Sequence, residues 1–176
     1  MKITLLENPL ESDWIEVKRR ALVTIGKSKV VNEIAEDWKV RILRSRHSPI
    51  RRLRMSFYLE GVPYWVSNEL CRHHKGVEKF VKSQRNDRQK EYDRNSARQD
   101  TPVNMIVDFN ADGFINFCQK RLCGLASAEM RYIASTMLSL LRETNPEFGL
   151  CGICKPYCKI YKNCPEMFPC GRSDKC

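Results

Sequence analysis

The segment RLRMSFYLE, residues 52–60, carries the clearest period-two pattern in the chain. Its apolar residues alternate with polar or amphipathic ones, and successive side chains of a strand point to opposite faces of a sheet. The apolar positions are Leu53, Met55, Phe57 and Leu59. The segment therefore predicts a strand with one buried face.

Helices and further strands are predicted on both sides of this segment. Apolar spacing, capping residues and proline positions predict helices over 12–24, 30–36, 63–72, 110–120 and 127–145. Short β-prone runs lie at 3–6 and 40–43, and the polar residues 78–100 predict helix and loop. The mixture of both element types predicts an α+β fold.

The composition predicts an anionic partner. The chain has 176 residues, with 31 Lys plus Arg against 21 Asp plus Glu, a net charge of +10 and a pI near 9.3. Nucleotides, nucleic acids and acidic cofactors all suit such a surface. The length predicts one main domain over residues 1–148, followed by a Cys-rich tail over 149–176.

The sequence also predicts a cytoplasmic protein. No apolar run approaches the roughly 20 residues that cross a bilayer, and the N-terminal residues do not resemble a signal peptide. Nine cysteines in a reducing compartment indicate buried thiols or a metal site rather than a disulfide framework.

Residues 69–98 concentrate the side chains that hold phosphates and the edges of heterocycles. The segment is rich in Arg, His, Ser, Gln and Asn, with few aliphatic residues between them. A solvated face of mixed charge is the alternative explanation for such a run. The pair His73-His74 and the motif Ser83-x-Arg85 favour a binding site instead.

These motifs resemble the signature of the flavin-dependent thymidylate synthases. That signature is Arg-His-Arg, five to seven polar positions, and then Ser-x-Arg-Tyr. Arg72-His73-His74 followed by Ser83-x-Arg85 is similar to it, with His74 in place of the second Arg and Asn86 in place of the Tyr.

Other family features follow in the same order along residues 40–141. Ser48-Pro49 resembles the family's Thr/Ser-Pro turn, with Arg51 at the place of a flavin-contacting Glu. Arg98 resembles its nucleotide-binding Arg. Asn110, Asn116 and Arg121 match the spacing of its Asn-Ala-Arg…Asn-Phe…Arg helix, in which Asp112 replaces an Arg.

The resemblance implies a small antiparallel sheet packed with long helices and the methylation of dUMP at C5. In the family, FAD transfers hydride, methylenetetrahydrofolate gives the carbon and NADPH is the reductant. The implied catalytic residue is Arg121, which also binds substrate with Arg72, Ser83, Gln84, Arg85 and Arg98. The implied cofactor-binding residues are Ser48, Arg72, His73, His74, Asn110 and Asn116. The family also implies a homotetramer whose subunits share active sites.

Two of these residues have structural alternatives, and the tail has several. Asn110 suits a helix N-cap, and Arg121 suits a cation at a helix C-terminus. The tail predicts a zinc site that draws its ligands from Cys151, Cys154, Cys158, Cys164 and Cys170. Thiols without a metal, or disulfides, are the alternatives.

Three other functions stay open on the sequence. A basic, zinc-containing nucleic-acid-binding module would use the same Arg and Lys residues, although few aromatic residues lie among them. Hydroxymethylation of a pyrimidine nucleotide, or a member without activity, would keep the fold and change the reaction. We expect no membrane partner.

Overall fold

Four antiparallel strands form one sheet in the computed structural model, which describes residues 1–28, 32–85, 87–89, 93 and 95–171. The strands are β1 (Lys2–Glu7), β2 (Arg54–Pro63), β3 (Val77–Val81) and β4 (Pro102–Asn110). Their spatial order is β1-β2-β4-β3, and every neighbouring pair is antiparallel. The predicted α+β class with a small antiparallel sheet is confirmed.

Seven α-helices accompany the sheet in the described ranges. They are α1 (Glu11–Val23), α2 (Glu36–Arg44), α3 (Tyr64–Cys71), α4 (Ala111–Arg121), α5 (Ala128–Thr144), α6 (Glu147–Leu150) and α7 (Tyr157–Tyr161). A 3₁₀ helix, Ser48–Arg52, precedes β2. Among the helices of this part of the chain, none has the length and apolar character that a bilayer crossing demands.

The alternating segment forms a central strand, as predicted. β2 lies between β1 and β4. The apolar side chains at 55, 57 and 59 within it, and that of Leu53 just before it, are completely buried. The ring of Phe57 stacks on Phe114 of α4, with 5.8 Å between centroids. Phe109 of β4 meets Phe114 edge-on at 5.5 Å. These aromatic contacts join the sheet to α4.

The predicted caps of α4 and α5 are also observed. The side chain of Asn110 accepts a hydrogen bond from Gly113 N at 2.8 Å, and Ser127 Oγ accepts one from Met130 N at 3.3 Å. The apolar stripe of α5 packs into the core through Met130, Ile133, Ala134, Met137 and Leu141. Helix α1 begins at Glu11, because Leu10 rather than Ser12 is its N-cap.

Three local predictions were wrong. Residues 40–43 lie in α2, where Trp38 and Ile42 share one helical face and the terminal charges suit the helix dipole. No helix forms over 32–35, and the rest of the predicted 30–36 helix lies outside the described residues. Residues 78–81 of the polar segment lie in strand β3, and no helix forms in the described residues of 78–100.

Strand β4 was not predicted, although the sequence contains its signal. Val103, Met105, Val107 and Phe109 alternate with more exposed neighbours, and all four are buried. Pro102 marks the start of this strand, which explains why a proline is tolerated there. β4 fills the place beside β2 and leads directly into α4.

The tail packs onto the domain over residues 151–158. Cys151 and Cys154 belong to the hydrophobic core, and Cys158 is buried as well. Arg44 Nε donates to the carbonyl of Cys151 at 3.0 Å, and the buried Gln119 amide donates to that of Ile153 at 3.2 Å. The domain boundary at residue 148 stays a prediction, but the first part of the tail shares the core.

A tight turn after α3 lies directly on the start of α4. Gly76 has φ of +70°, and a Cβ added there would lie 2.4 Å from Asn110 Oδ1. A Cβ added to Gly113 would lie 2.5 Å from the carbonyl oxygen of Gly76. Asn110 N donates to that same carbonyl at 2.9 Å. Two glycines therefore allow two backbone segments to touch.

We predict that Gly76→Ala destabilises the protein more than Gly152→Ala. Both glycines have positive φ, but nothing lies within 4 Å of a Cβ at Gly152. The control carries only the left-handed backbone cost of about 1–2 kcal/mol, whereas Gly76→Ala adds a clash costing about 1–3 kcal/mol. Urea unfolding measures both free energies, and equal losses would show that the turn yields easily.

Candidate functional site

Arg121 lies at the end of α4 and contacts two side chains from the α3 region. Its Nε donates to His73 Nε2 at 2.8 Å, and its Nη1 donates to Glu69 Oε1 at 2.5 Å. Its Nη2 lies 3.5 Å from the carbonyl oxygen of Glu69. The structure therefore brings together two predicted site residues, Arg121 and His73, and adds Glu69.

His73 is a buried neutral imidazole. Its ring meets Phe117 edge-on at 5.2 Å. Burial, followed by the positive charge of Arg121, lowers the pKa of His73 to about 4. An Nε2 that accepts from Arg121 carries no proton, so the neutral ring holds its proton on Nδ1.

Asn110 combines its predicted cofactor role with a structural one. Its Oδ1 caps α4 by accepting from Gly113 N, and its backbone N–H bonds to Gly76. The amide nitrogen of Asn110 has no partner in the described part of the chain, and neither has the half-buried side chain of Asn116. Both amides lie on or beside α4 and suit a polar ligand.

The remaining predicted cofactor residues are exposed. Arg72 ends α3 as its C-cap, His74 follows in the turn, and Ser48 begins the 3₁₀ helix that packs on α4. Within the described ranges their side chains make no hydrogen bond or ion pair. Unpaired donors of this kind fit a ligand with phosphates and ring carbonyls, as FAD has.

The predicted substrate residues lie in two segments, after β3 and before β4. Gln84 Nε2 is buried and has no hydrogen-bond partner in the described structure. Buried polar atoms are nearly always paired, so this nitrogen suits an acceptor on a ligand. Next to it, Ser83 Oγ accepts from Arg85 N at 3.3 Å.

Arg85 and Arg98 each form a two-pronged ion pair with a nearby aspartate. Arg85 bonds to Asp87 at 2.9 and 2.8 Å, and Arg98 bonds to Asp100 at 2.9 and 3.1 Å. All four side chains are exposed. Pairs of this kind contribute about 0.2–1 kcal/mol, less than the roughly 1.5–3 kcal/mol of a hydrogen bond to a charged group. Each arginine can therefore leave its aspartate at a small cost in free energy.

Arg98 and Glu69 lie towards opposite ends of α3. The backbone N–H of Trp65, at the start of α3, donates to the carbonyl of Gln99 at 3.0 Å. Glu69 lies one turn further along the helix and contacts Arg121. In the described residues no direct contact joins Arg85 or Arg98 to Arg121. The arrangement separates the two exposed arginines from the buried cluster.

The two departures from the family at residues 51 and 112 face each other. Arg51 Nε lies 3.6 Å from Asp112 Oδ2, and Arg46 donates to Asp112 Oδ1 at 2.9 and 2.6 Å. Where the resemblance expects Glu and Arg, this chain has Arg and Asp. The charges are exchanged and remain complementary.

The described structure does not place the five tail cysteines together for metal binding, and the zinc site stays a prediction. Among the described residues, no group of three or more His, Cys, Asp or Glu side chains is placed to hold a metal ion. Cys151, Cys154 and Cys158 are buried, and Cys164 and Cys170 lie further along the tail at intermediate exposure. A hydrogen bond between Cys151 and Cys154, with burial, raises the pKa of the Cys151 thiol. These thiols pack as apolar groups.

Glu69 and Ser127 are the site residues that sequence reasoning missed. Ser127 begins the helix predicted over 127–145, and Glu69 begins the polar segment 69–98 without a role of its own. Glu69 contacts both Arg121 and Ser127 because of how α3 packs beside α4 and α5, which no local pattern encodes. The available sequence signal was an acidic residue three positions before Arg72.

The depressed pKa of His73 predicts a pH-dependent stability. Between its folded pKa of about 4 and the unfolded value of 6.5, the unfolded chain binds the proton more strongly. The free energy of unfolding therefore rises with pH in this window, by up to about 1.4 kcal/mol per unit. His73→Gln keeps an acceptor for Arg121 and should flatten this slope. Urea unfolding from pH 4 to 7 measures it, and identical slopes would contradict the assignment.

Buried and exposed cysteines should differ in reactivity. Hydrogen bonding to Cys118 raises the pKa of Cys154, so neither it nor Cys151 supplies a thiolate at neutral pH. We expect a thiol reagent at pH 7 to label Cys164 and Cys170 first, and the buried pair only after unfolding. Peptide mapping by mass spectrometry measures the order. Equal labelling in the native protein would contradict the packing.

Comparison with known proteins agrees with the motifs in part of the chain. A family model described as thymidylate synthase complementing protein matches residues 87–147, about a third of the chain. This stretch includes Arg98, Asn110, Asn116 and Arg121 but not Arg72-His73-His74 or Ser83-x-Arg85. No curated protein sequence matches the chain.

Solved structures share the fold. Thymidylate synthase X (ThyX) from Helicobacter pylori, solved with FAD and dUMP, superimposes with a TM-score of 0.66 at 16% identity, covering 86% of this chain and 98% of that one. A second structure of that protein with the same ligands gives 0.64 at 18% identity, covering 86% and 99%. The chain therefore has the fold of flavin-dependent thymidylate synthases and, over residues 87–147, the sequence pattern of their family, which confirms the resemblance predicted from its motifs.

Proposed function

We propose that this protein catalyses the FAD- and folate-dependent methylation of dUMP at C5 to give dTMP. The family match and the shared fold support the enzyme class. The observation that carries the proposal is the fixed position of Arg121, held between the neutral ring of His73 and the carboxylate of Glu69.

Arg121 acts on the pyrimidine ring in this proposal. Its guanidinium has five N–H donors, and the contacts to His73 and Glu69 use three of them. The other two donate to a uracil carbonyl. Negative charge develops on that oxygen as the ring reacts, so the hydrogen bonds strengthen towards the transition state.

The nucleotide phosphate and sugar bind at the other end of α3. Ser83, Gln84, Arg85 and Arg98 supply a hydroxyl, an unpaired amide and two guanidinium groups. The pairs with Asp87 and Asp100 are exposed and weak, so a phosphate displaces either aspartate at little cost in free energy. Arg72 assists from the end of α3.

Six residues would hold FAD. They are Ser48, Arg72, His73, His74, Asn110 and Asn116, which lie in or beside the α3–β3 turn, the 3₁₀ helix and α4. FAD, when bound, supplies the hydride transfer that no side chain can perform. The protein residues bind and orient it, and the buried His73 ring keeps water from one side of Arg121.

The remaining parts of the proposal come from the family. NADPH and methylenetetrahydrofolate are the co-substrates, and a cytoplasmic homotetramer shares active sites between subunits. Exposed FAD-binding donors on a chain of 176 residues support sharing, because a neighbouring subunit would cover them. Light scattering of the protein saturated with FAD tests the assembly.

The first experiment for the function is the absorption spectrum. Protein purified after incubation with FAD should retain a flavin band near about 450 nm, and NADPH should bleach it. Mass spectrometry of the dUMP product then distinguishes methylation from hydroxymethylation. Protein that stays colourless and monomeric would overturn the proposal and favour a binding module.

Substitutions at the two ends of the nucleotide should have different kinetic effects. Arg85→Ala should raise KM for dUMP about ten- to a hundredfold, since a phosphate contact is the same in the ground and transition states. Arg121→Ala should lower kcat by about 10²–10³, the loss typical of one such donor. NADPH oxidation that depends on dUMP measures both.

The control for these variants lies outside the site. Arg41→Ala removes an arginine of an exposed ion pair on α2, 3.0 Å from Asp37, and should change neither constant.

Asp87→Asn frees Arg85 from its aspartate and should lower KM by no more than about fivefold, the value of an exposed pair. If Arg85→Ala and Arg121→Ala both behave like Arg41→Ala, the placement of the site is wrong.

A further inference from the structure

Glu69 receives hydrogen bonds from two different helices. Its Oε1 accepts from Nη1 of Arg121, and its Oε2 accepts from Ser127 Oγ at 3.2 Å. The side chains of Glu69 and Arg121 are 21% and 18% exposed, so water screens their pairing less than it screens a surface pair. Glu69 therefore fixes one side of the guanidinium.

Ser127 in turn fixes Glu69. Its oxygen accepts from Met130 N as the N-cap of α5, which leaves its own O–H to donate to the carboxylate. The start of a helix also favours a negative charge. The longest helix in the described ranges thus holds Glu69, and Glu69 holds Arg121.

The pairing changes which groups Arg121 attracts. A guanidinium without a counterion binds phosphate strongly, as Arg residues commonly do. With Glu69 beside it, a phosphate would meet a negative carboxylate next to the cation, whereas an uncharged carbonyl would still find two N–H donors. Repulsion of the wrong ligand is an established source of specificity.

We infer that Glu69 is a positioning residue that keeps phosphate away from Arg121. A nucleotide then binds in one orientation, with its phosphate at Arg85 and Arg98 and its uncharged ring at Arg121. The ligand identities rest on the proposed function. The exclusion of phosphate concerns only the residues of this chain.

Nuclear magnetic resonance of the arginine Nε–H groups tests the inference in the full-length protein. Arg121→Lys identifies the Arg121 signal by its loss. In the wild type, inorganic phosphate should leave this signal in place and shift those of exposed arginines. In Glu69→Gln the Arg121 signal should move with phosphate, because the carboxylate that repels the anion is gone.

Two further variants separate this role from a structural one. Asp37→Asn removes the acid of an exposed pair on α2 and should behave like the wild type. Ser127→Ala leaves the carboxylate but removes its anchor, so it should give an intermediate response and serves if Glu69→Gln does not fold. A wild-type Arg121 signal that moves with phosphate as much as in Glu69→Gln would overturn the inference.

A kinetic arm depends on the proposed reaction. Glu69→Gln should lower kcat by about 10² through misplacement of Arg121, and it should add nothing to Arg121→Ala in the double variant. Additive losses would show that Glu69 acts by itself and would overturn the positioning role. Absence of any dUMP-dependent turnover in the wild type refutes the proposed function and leaves the phosphate test standing.

Discussion

The close approach of two backbone segments at Gly76 and Gly113 is the constraint on which the site depends. No side chain fits between the turn that follows α3 and the first turn of α4. Asn110 closes the contact through its cap to Gly113 and its bond to the carbonyl of Gly76. His73 lies in this turn, and Arg121 lies at the far end of α4. The backbone contact therefore sets the position of the His73 ring relative to the Arg121 guanidinium.

Burial then gives the cluster its chemical character. A protonated histidine would repel Arg121 and could not accept its hydrogen bond. The apolar surroundings of His73 keep the ring neutral, so that it accepts the bond. Glu69 supplies the negative charge that the guanidinium needs in a half-buried place. Three side chains of different type thus form one unit with no net charge.

Local patterns predicted the strand and helices that bury an apolar face, and the residues that cap the starts of α4 and α5. Strand β2 and helix α5 were predicted because their alternation and stripe repeat over many residues. Residues 40–43 were assigned to a strand because β-branched residues prefer one, while packing of Trp38 and Ile42 decided for a helix. The motifs located Arg121 and His73. Their bond, and the part of Glu69 in it, arises from helix packing between distant segments.

The exchanged charges at residues 51 and 112 also constrain how such a site can change over evolutionary time. The family has Glu and Arg at residues 51 and 112. Replacing residue 51 first would bring three cations together, at residues 46, 51 and 112. Replacing residue 112 first leaves two acids around Arg46, a much smaller imbalance. The path with the milder intermediate therefore places the change to Asp112 before the change to Arg51, and makes reversion of residue 112 alone the more unfavourable of the two reversions.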